Sequence, residues 1–72
     1  MRNLQDLKTA IGQKVRALRN ERGWSQEELA AHAETGISYV SEIENGKGNL
    51  TLQTFWQLAK AFEVEVKVLF DF

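Results

Sequence analysis

The stretch SQEELAAHAETGISYVSEIENGK, from Ser25 to Lys47, decides the fold of this chain. It predicts two short helices joined by a tight turn, within about residues 25–45. Ser25 is a typical N-cap residue, and Glu28 three positions later completes a capping box at the start of the first helix. Gly46 is expected to end the second helix, because glycine accepts the left-handed conformation found at many helix ends.

Apolar residues at helical spacing predict a further helix on each side of this pair and a shared core. The long first helix is expected to end near Gly23, and Thr51 is the predicted N-cap of the helix after the pair. Gly12, inside the first helix, should allow another helix to approach closely. The inward-facing residues, helix by helix, are Leu4, Leu7, Ile11, Val15 and Leu18; Leu29, Ala30 and Ala33; Val40 and Ile43; and Leu52, Phe55, Leu58, Ala59 and Phe62.

The tail EVEVKVLFDF, residues 63–72, changes to a period of two. Alternation of β-branched and aromatic residues with other residues predicts a strand. A lone strand leaves its backbone groups unpaired, so we expect it to pair with the same strand of a second copy about a two-fold axis. A short final helix is the alternative, and for Trp56 a wide core face is an equally good interpretation. The predicted dimer interface is formed by Trp56, Val64, Val66, Val68 and Phe70.

The length of 72 residues predicts one small domain, residues 1–72, whose core is marginal by itself. The chain contains no cysteine, so neither a disulfide nor a thiolate-held metal can stabilise it. A shared interface with a second copy is the remaining source of stability. No apolar run approaches membrane-spanning length and the start is not signal-like, so we expect a cytoplasmic protein with no membrane partner.

Charge is unevenly distributed along the sequence, whose net charge is −1. Residues 1–23 carry six basic and two acidic residues, a balance of +4. Residues 24–72 carry three basic and eight acidic residues, a balance of −5. This distribution favours a small basic patch over a strong field that attracts any polyanion. An ordinary solvated face of the first helix explains the same basic residues.

Three segments, in this order and spacing, resemble the Cro/CI-type (XRE-type) helix-turn-helix DNA-binding proteins. They are IGQKVRALRNERGWSQEELA, YVSEIENGK and LTLQTFWQLAKAF, and they lie within about residues 11–62. The resemblance implies an all-α, compact helix-turn-helix bundle of four to five helices, similar to the lambda repressor DNA-binding domain, that binds double-stranded DNA. The predicted tail strand resembles that of HipB-like antitoxins, in which C-terminal strands pair across the dimer.

The second helix of the pair is short enough to enter a DNA major groove, which is about 12 Å wide. If Val40 and Ile43 are buried, four residues point away from the core and are expected to read base edges: Ile37, Ser38, Ser41 and Glu42. The resemblance adds Tyr39 to the readers, adds phosphate contacts from Gln26, Asn45 and Lys47, and implies a structural ion pair between Arg19 and Glu44. For Tyr39 and Glu42, a plain surface position is the alternative.

Two features depart from the family pattern. The turn position usually held by glycine is Glu34 here, which predicts either a non-glycine residue with positive φ or a rearranged turn. The base-facing positions also lack Arg, Lys, Gln and Asn. Shape readout is therefore expected to contribute more than direct readout.

The leading functional interpretation is a homodimeric, sequence-specific transcriptional regulator that represses a palindromic operator near its own gene. The alternative is an antitoxin, or another protein-interaction module, whose main partner is a toxin or other protein. An enzyme is not expected, because the single histidine, His32, has the features of an ordinary surface residue and no cleft is expected in so small a domain. No cofactor or metal site is predicted.

Overall fold

The computed structural model of the chain describes residues 2–72. Five helical elements follow one another along these residues: α1 (Leu4–Glu21), α2 (Gln26–Ala33), α3 (Ile37–Glu44), α4 (Leu52–Phe62) and the 3₁₀ helix η1 (Val66–Phe70). α3 packs on α1 and α2, α2 packs on α4, and η1 packs on both α1 and α4. The predicted all-α bundle of four to five helices is confirmed. Within this part of the chain no helix is long and apolar enough to cross a membrane.

The core lies mainly where the helical spacing predicted it. Leu4 and Leu52 are the exceptions, at 65% and 86% exposure, because each is the first residue of its helix and extends past the core. Leu7 and Phe55 are half-buried against the core. The buried apolar residues are Ile11, Val15, Leu18, Leu29, Ala30, Ala33, Val40, Ile43, Leu58, Ala59, Phe62 and Leu69.

The start of α2 is fixed by the predicted capping box. Ser25 Oγ accepts the backbone N–H of Glu28 at 3.0 Å, and Glu28 Oε1 accepts the backbone N–H of Ser25 at 2.9 Å. Immediately before it, the Trp24 ring stacks on the rings of His32 and Phe62, with centroids 4.1 and 5.9 Å apart. These contacts tie both ends of α2 to α4.

The turn between α2 and α3 contains a strained residue. Glu34 has φ 56° and ψ 47°, the left-handed conformation that favours glycine, so of the two expected alternatives the non-glycine residue with positive φ is the one observed. The turn closes normally, because the Thr35 N–H donates to the Ala30 carbonyl at 3.0 Å. Glu63 ends α4 in the same conformation, with φ 58°. Each left-handed glutamate costs about 1 kcal/mol relative to an unstrained residue.

Gly12 sets the close approach of α1 to the end of α3. A Cβ atom at this position would collide with the carbonyl oxygen of Ile43 and lie 3.0 Å from that of Glu44. Only glycine therefore fits without moving backbone. The approaching helix is α3, the second helix of the pair, so Gly12 determines how closely α3 packs against α1.

The predicted strand over residues 63–72 is not formed, and the alternative of a short final helix is correct. Within η1 the Val68 N–H donates to the Glu65 carbonyl, and the Asp71 N–H donates to the Val68 carbonyl. This turn satisfies backbone groups inside one chain, whereas a lone strand would leave them unpaired. Leu69, which the alternation grouped with the polar residues, is fully buried, while Phe70 is 42% exposed.

Candidate nucleic-acid interface

One face of α3 is exposed because its opposite face is fixed in the core by Val40 and Ile43. The exposed face carries the four residues predicted to read base edges. Ile37 is 46% exposed, Ser38 and Glu42 are also exposed, and Ser41 is half-buried. An eight-residue helix is about 12 Å long, so its whole exposed face fits within one major groove.

Tyr39 does not lie with these four residues. Its side chain is half-buried and packs against the core. Its hydroxyl donates to the Asn49 carbonyl at 2.7 Å and lies 3.1 Å from Thr54 Oγ1. The phenol therefore joins α3 to the following loop and to α4. This placement gives Tyr39 a structural role, and base reading by Tyr39 stays a prediction from the sequence.

The loop after α3 is held by polar contacts from its own helix and from α1. Asn45 Nδ2 donates to the Ser41 carbonyl at 2.8 Å, and the Lys47 N–H donates to the Glu42 carbonyl at the same distance. The carbonyl of the buried Gly46 accepts Gln5 Nε2 at 2.8 Å. Asn45 and Lys47, the predicted phosphate contacts, are both exposed on this fixed loop.

A buried carboxylate at the last residue of α3 joins three helices. Glu44 has no exposed side-chain surface, and Arg19 binds it through two bonds, Nε to Oε2 at 2.6 Å and Nη2 to Oε1 at 3.0 Å. Arg19 Nη1 also donates to the Trp24 carbonyl at 2.7 Å, which ties the pair to the start of α2. The two residues expected to form an ion pair thus lie in bidentate contact.

Two further side chains donate to the same oxygen of this carboxylate. Gln26 Nε2 lies 3.1 Å from Glu44 Oε1, and Arg16 Nε lies 3.3 Å from it. Gln26, a predicted phosphate contact, is therefore held at the N-terminus of α2 by Glu44. Arg16 was missed from the sequence, although its position one turn before Arg19 on α1 places both on the same face.

The ion pair shifts the pKa of Glu44. Burial raises this pKa, but the hydrogen bonds from Arg19, Gln26 and Arg16 and the charge of Arg19 lower it by more, so the net value lies below the usual 4.5. The hydrogen bond to Glu44 raises the pKa of Arg19. Both groups are ionised at neutral pH, so the carboxylate holds its donors as a charged acceptor.

The residues predicted to form the dimer interface are divided by the structure. Trp56, Val66 and Phe70 are 57%, 36% and 42% exposed, whereas Val64 and Val68 are half-buried against the core of their own chain. An open apolar groove of about 310 Å³ adjoins Phe70; its other apolar lining residues are Leu4, Leu7, Ile11, Leu50 and Phe55. Exposed apolar surface is therefore present beside Phe70 although the predicted strand is not formed.

The short helix α3 has one exposed face and follows a tight turn and a capped helix. A buried ion pair fixes it to α1. These features define the class of helix-turn-helix DNA-binding domains. The Helix-turn-helix family model HTH_3 matches residues 15–69. The chain belongs to this family of XRE-type, DNA-binding transcriptional regulators.

The chain is similar in sequence to curated regulatory proteins and similar in fold to a solved structure. The chain is 40% identical over 60 residues to the competence pilus inhibition repressor of Acinetobacter baylyi; this match covers 83% of the chain but 54% of that protein, so the chain spans about half its length. It is 37% identical over 68 residues to control protein C.BamHI of Bacillus amyloliquefaciens, covering 93% and 84% of the two chains. C.Esp1396I bound to a 19 base pair DNA duplex has a TM-score of 0.81 and 31% identity, covering 90% and 87%.

The likeness to HipB-like antitoxins depended on the tail strand. Because residues 66–70 form a 3₁₀ helix, that part of the resemblance is not supported. A toxin as the main partner stays a prediction from the sequence. Within residues 2–72 no group of His, Asp and Glu side chains is arranged to hold a metal ion.

Proposed function

We propose that this chain is a sequence-specific transcriptional repressor that binds, as a homodimer, a palindromic operator near its own gene. The observation that carries the proposal is the exposed face of α3, held at a fixed angle by the bonds of Glu44 to α1 and α2. The names of the Acinetobacter repressor and of the control protein support a regulatory role, and the DNA-bound relative supports duplex DNA as the ligand.

In this proposal α3 lies in the major groove and reads base edges. Ile37 packs on a thymine methyl group, and Glu42 accepts from the N4 amino group of cytosine. Ser38 and Ser41 bind either a base or a phosphate. Few of these contacts are bidentate, so sequence-dependent DNA shape supplies part of the specificity.

Phosphate contacts from both ends of the pair position the domain on the duplex. Gln26 lies in the first turn of α2, where the helix dipole favours a phosphate. Asn45 and Lys47 reach the backbone from the loop after α3. A phosphate contact carries little sequence information, so these three residues set affinity and orientation while α3 sets specificity.

A second copy is proposed to cover the exposed apolar surface of Trp56 on α4 and of Phe70 beside the groove. Burying such a face stabilises a small domain whose core is marginal alone. Two-fold symmetry would place two recognition helices in successive major grooves about 34 Å apart. The operator is therefore expected to be a palindrome with that half-site spacing.

The double variant Ser38→Ala with Glu42→Ala tests the reading face. We expect discrimination between the DNA upstream of the gene and a scrambled duplex to fall about thirtyfold, because two base contacts are lost and each contributes on the order of 1 kcal/mol. Fluorescence anisotropy at two salt concentrations measures it. Glu65→Ala, which removes an exposed carboxylate from the tail, is the matched control. Unchanged discrimination in the double variant would show that α3 is not the reading helix.

Trp56→Lys tests the apolar face. We expect the dimer dissociation constant to rise at least about tenfold, because a charge would replace a large aromatic contact at the centre of the interface. Sedimentation equilibrium measures the change, and Gln13→Lys, at an exposed position of α1, is the control. A wild-type chain that is monomeric at micromolar concentration, or a Trp56→Lys chain that dimerises normally, would contradict the proposed interface.

A further inference from the structure

We infer that Arg16 on α1 is a further contact to the DNA backbone, oriented by the buried carboxylate of Glu44. This inference rests on the proposed function, since it concerns the same DNA complex. It adds a helix that the sequence analysis did not assign to the interface. It also gives the ion-pair cluster of Arg16, Arg19, Gln26 and Glu44 a second task besides holding α3.

The charge balance of this cluster supports the inference. Arg19 alone neutralises Glu44 and binds both of its oxygens, at 2.6 and 3.0 Å. Arg16 brings a second positive charge to the same carboxylate, so the cluster carries a net charge of +1. The Arg19 side chain is 14% exposed, whereas that of Arg16 is 49% exposed. The surplus charge therefore lies at the surface.

The orientation of the guanidinium supports it as well. Arg16 uses Nε, at the inner edge of the group, to donate to Glu44 Oε1. A guanidinium has five N–H donors in a planar fork, so four of them, on Nη1 and Nη2, lie on the remaining edges. Pinning Nε to a buried atom restricts the long side chain to few rotamers. Less conformational entropy is then lost when the outer edge binds an anion.

The neighbours of Arg16 place this outer edge at the proposed interface. Arg16 Nε and Gln26 Nε2 donate to the same oxygen atom, at 3.3 and 3.1 Å. The guanidinium is therefore adjacent to the N-terminus of α2, where a phosphate is proposed to bind Gln26. An arginine beside a helix N-terminus gives one phosphate group donors of two kinds, charged and backbone.

A purely stabilising role for Arg16 makes a different prediction from a phosphate contact. Half-exposed ion pairs add little to folding stability, and such an addition does not depend on DNA. A phosphate contact releases counterions, so it steepens the salt dependence of DNA binding. The slope of log Kd against log salt concentration separates the two roles.

The experiment compares wild type, Arg16→Gln, Arg16→Lys and Lys67→Gln in the full chain. The probes are the duplex upstream of the gene and a random-sequence duplex of equal length. Lys67→Gln removes an equal charge from η1, which packs on α1 and α4 away from α3, and its side chain is 82% exposed. Thermal melting followed by circular dichroism shows that each variant is folded.

Arg16→Gln is expected to lower the salt slope by about 1 and to weaken binding about tenfold on both duplexes, because phosphate contacts are blind to sequence. Arg16→Lys should keep the slope while losing part of the affinity, since lysine retains the charge without the fork. Lys67→Gln should change neither. A wild-type salt slope in Arg16→Gln would overturn the inference and leave the proposed function standing. Wild-type protein that binds neither duplex would overturn both.

Discussion

Glu44→Ala is expected to lower the free energy of unfolding by about 3–5 kcal/mol, because it leaves the guanidinium of Arg19 without its carboxylate in a nearly buried position. This is a large part of the total stability of a 72-residue domain, which is on the order of 5 kcal/mol. Urea unfolding followed by circular dichroism measures the change. Glu42→Ala, the same substitution two residues earlier on the exposed face of α3, should change stability by less than about 0.5 kcal/mol. Equal effects at the two positions would contradict the assigned role of Glu44.

The pH dependence of stability gives this prediction a second check. The folded-state pKa of Glu44 lies below its usual 4.5, so the ionised carboxylate stabilises the fold fully above that pH. The contribution is lost as the pH falls from 4.5 through the lowered folded-state pKa, where Glu44 becomes protonated in the folded chain. Glu44→Gln should therefore flatten the fall in stability over this acidic range. A wild-type pH profile in this variant would show that other carboxylates cause the acid loss.

Leu69→Ala is expected to lower the free energy of unfolding by about 3 kcal/mol, since it removes a fully buried side chain from the contact of η1 with α1 and α4. Val66→Ala, in the same short helix but at a position 36% exposed, should cost less than about 1 kcal/mol. Chemical unfolding of both variants measures the difference. The alternating strand would give the opposite order, because it places Val66 on the apolar face and Leu69 on the other. A larger loss from Val66→Ala would favour the strand.

The helix-turn-helix pair was predictable because its signals are local. A capping box joins residues only three positions apart, and helical spacing marks Leu29, Ala33, Val40 and Ile43 as buried. The left-handed Glu34 was one of two alternatives expected from the resemblance, which places Glu34 at the turn position usually held by glycine. In each case the sequence within one or two turns determines the local structure.

The tail was not predictable in the same way. Five residues in a 3₁₀ helix make too few turns for their period to appear in a sequence, and valines at alternate positions imitate a strand. What decides between the two is whether the backbone finds hydrogen-bond partners within the chain, which depends on the distant residues of α1 and α4. Leu69 is buried by that tertiary contact and not by any local pattern.

The candidate site was partly predictable. The outward residues of α3 followed from the burial of Val40 and Ile43, but the inward turn of Tyr39 did not, because its partners Asn49 and Thr54 lie beyond the helix. No spacing rule connects a tyrosine to a loop carbonyl ten residues away. Arg16 was missed for a related reason. The resemblance implied only one partner for Glu44, Arg19, and no sequence pattern indicates that two further side chains donate to the same carboxylate.

The stacking of Trp24 on His32 and Phe62 makes Trp24 an intrinsic fluorescence probe of the fold. The emission of an indole depends on its surroundings, so Trp24 reports when α2 and α4 separate. The second indole, Trp56, is 57% exposed on α4, and it reports what covers the surface around it. Separation of α2 from α4 and covering of the surface around Trp56 thus have separate intrinsic fluorescence signals, and no dye needs to be attached to follow either.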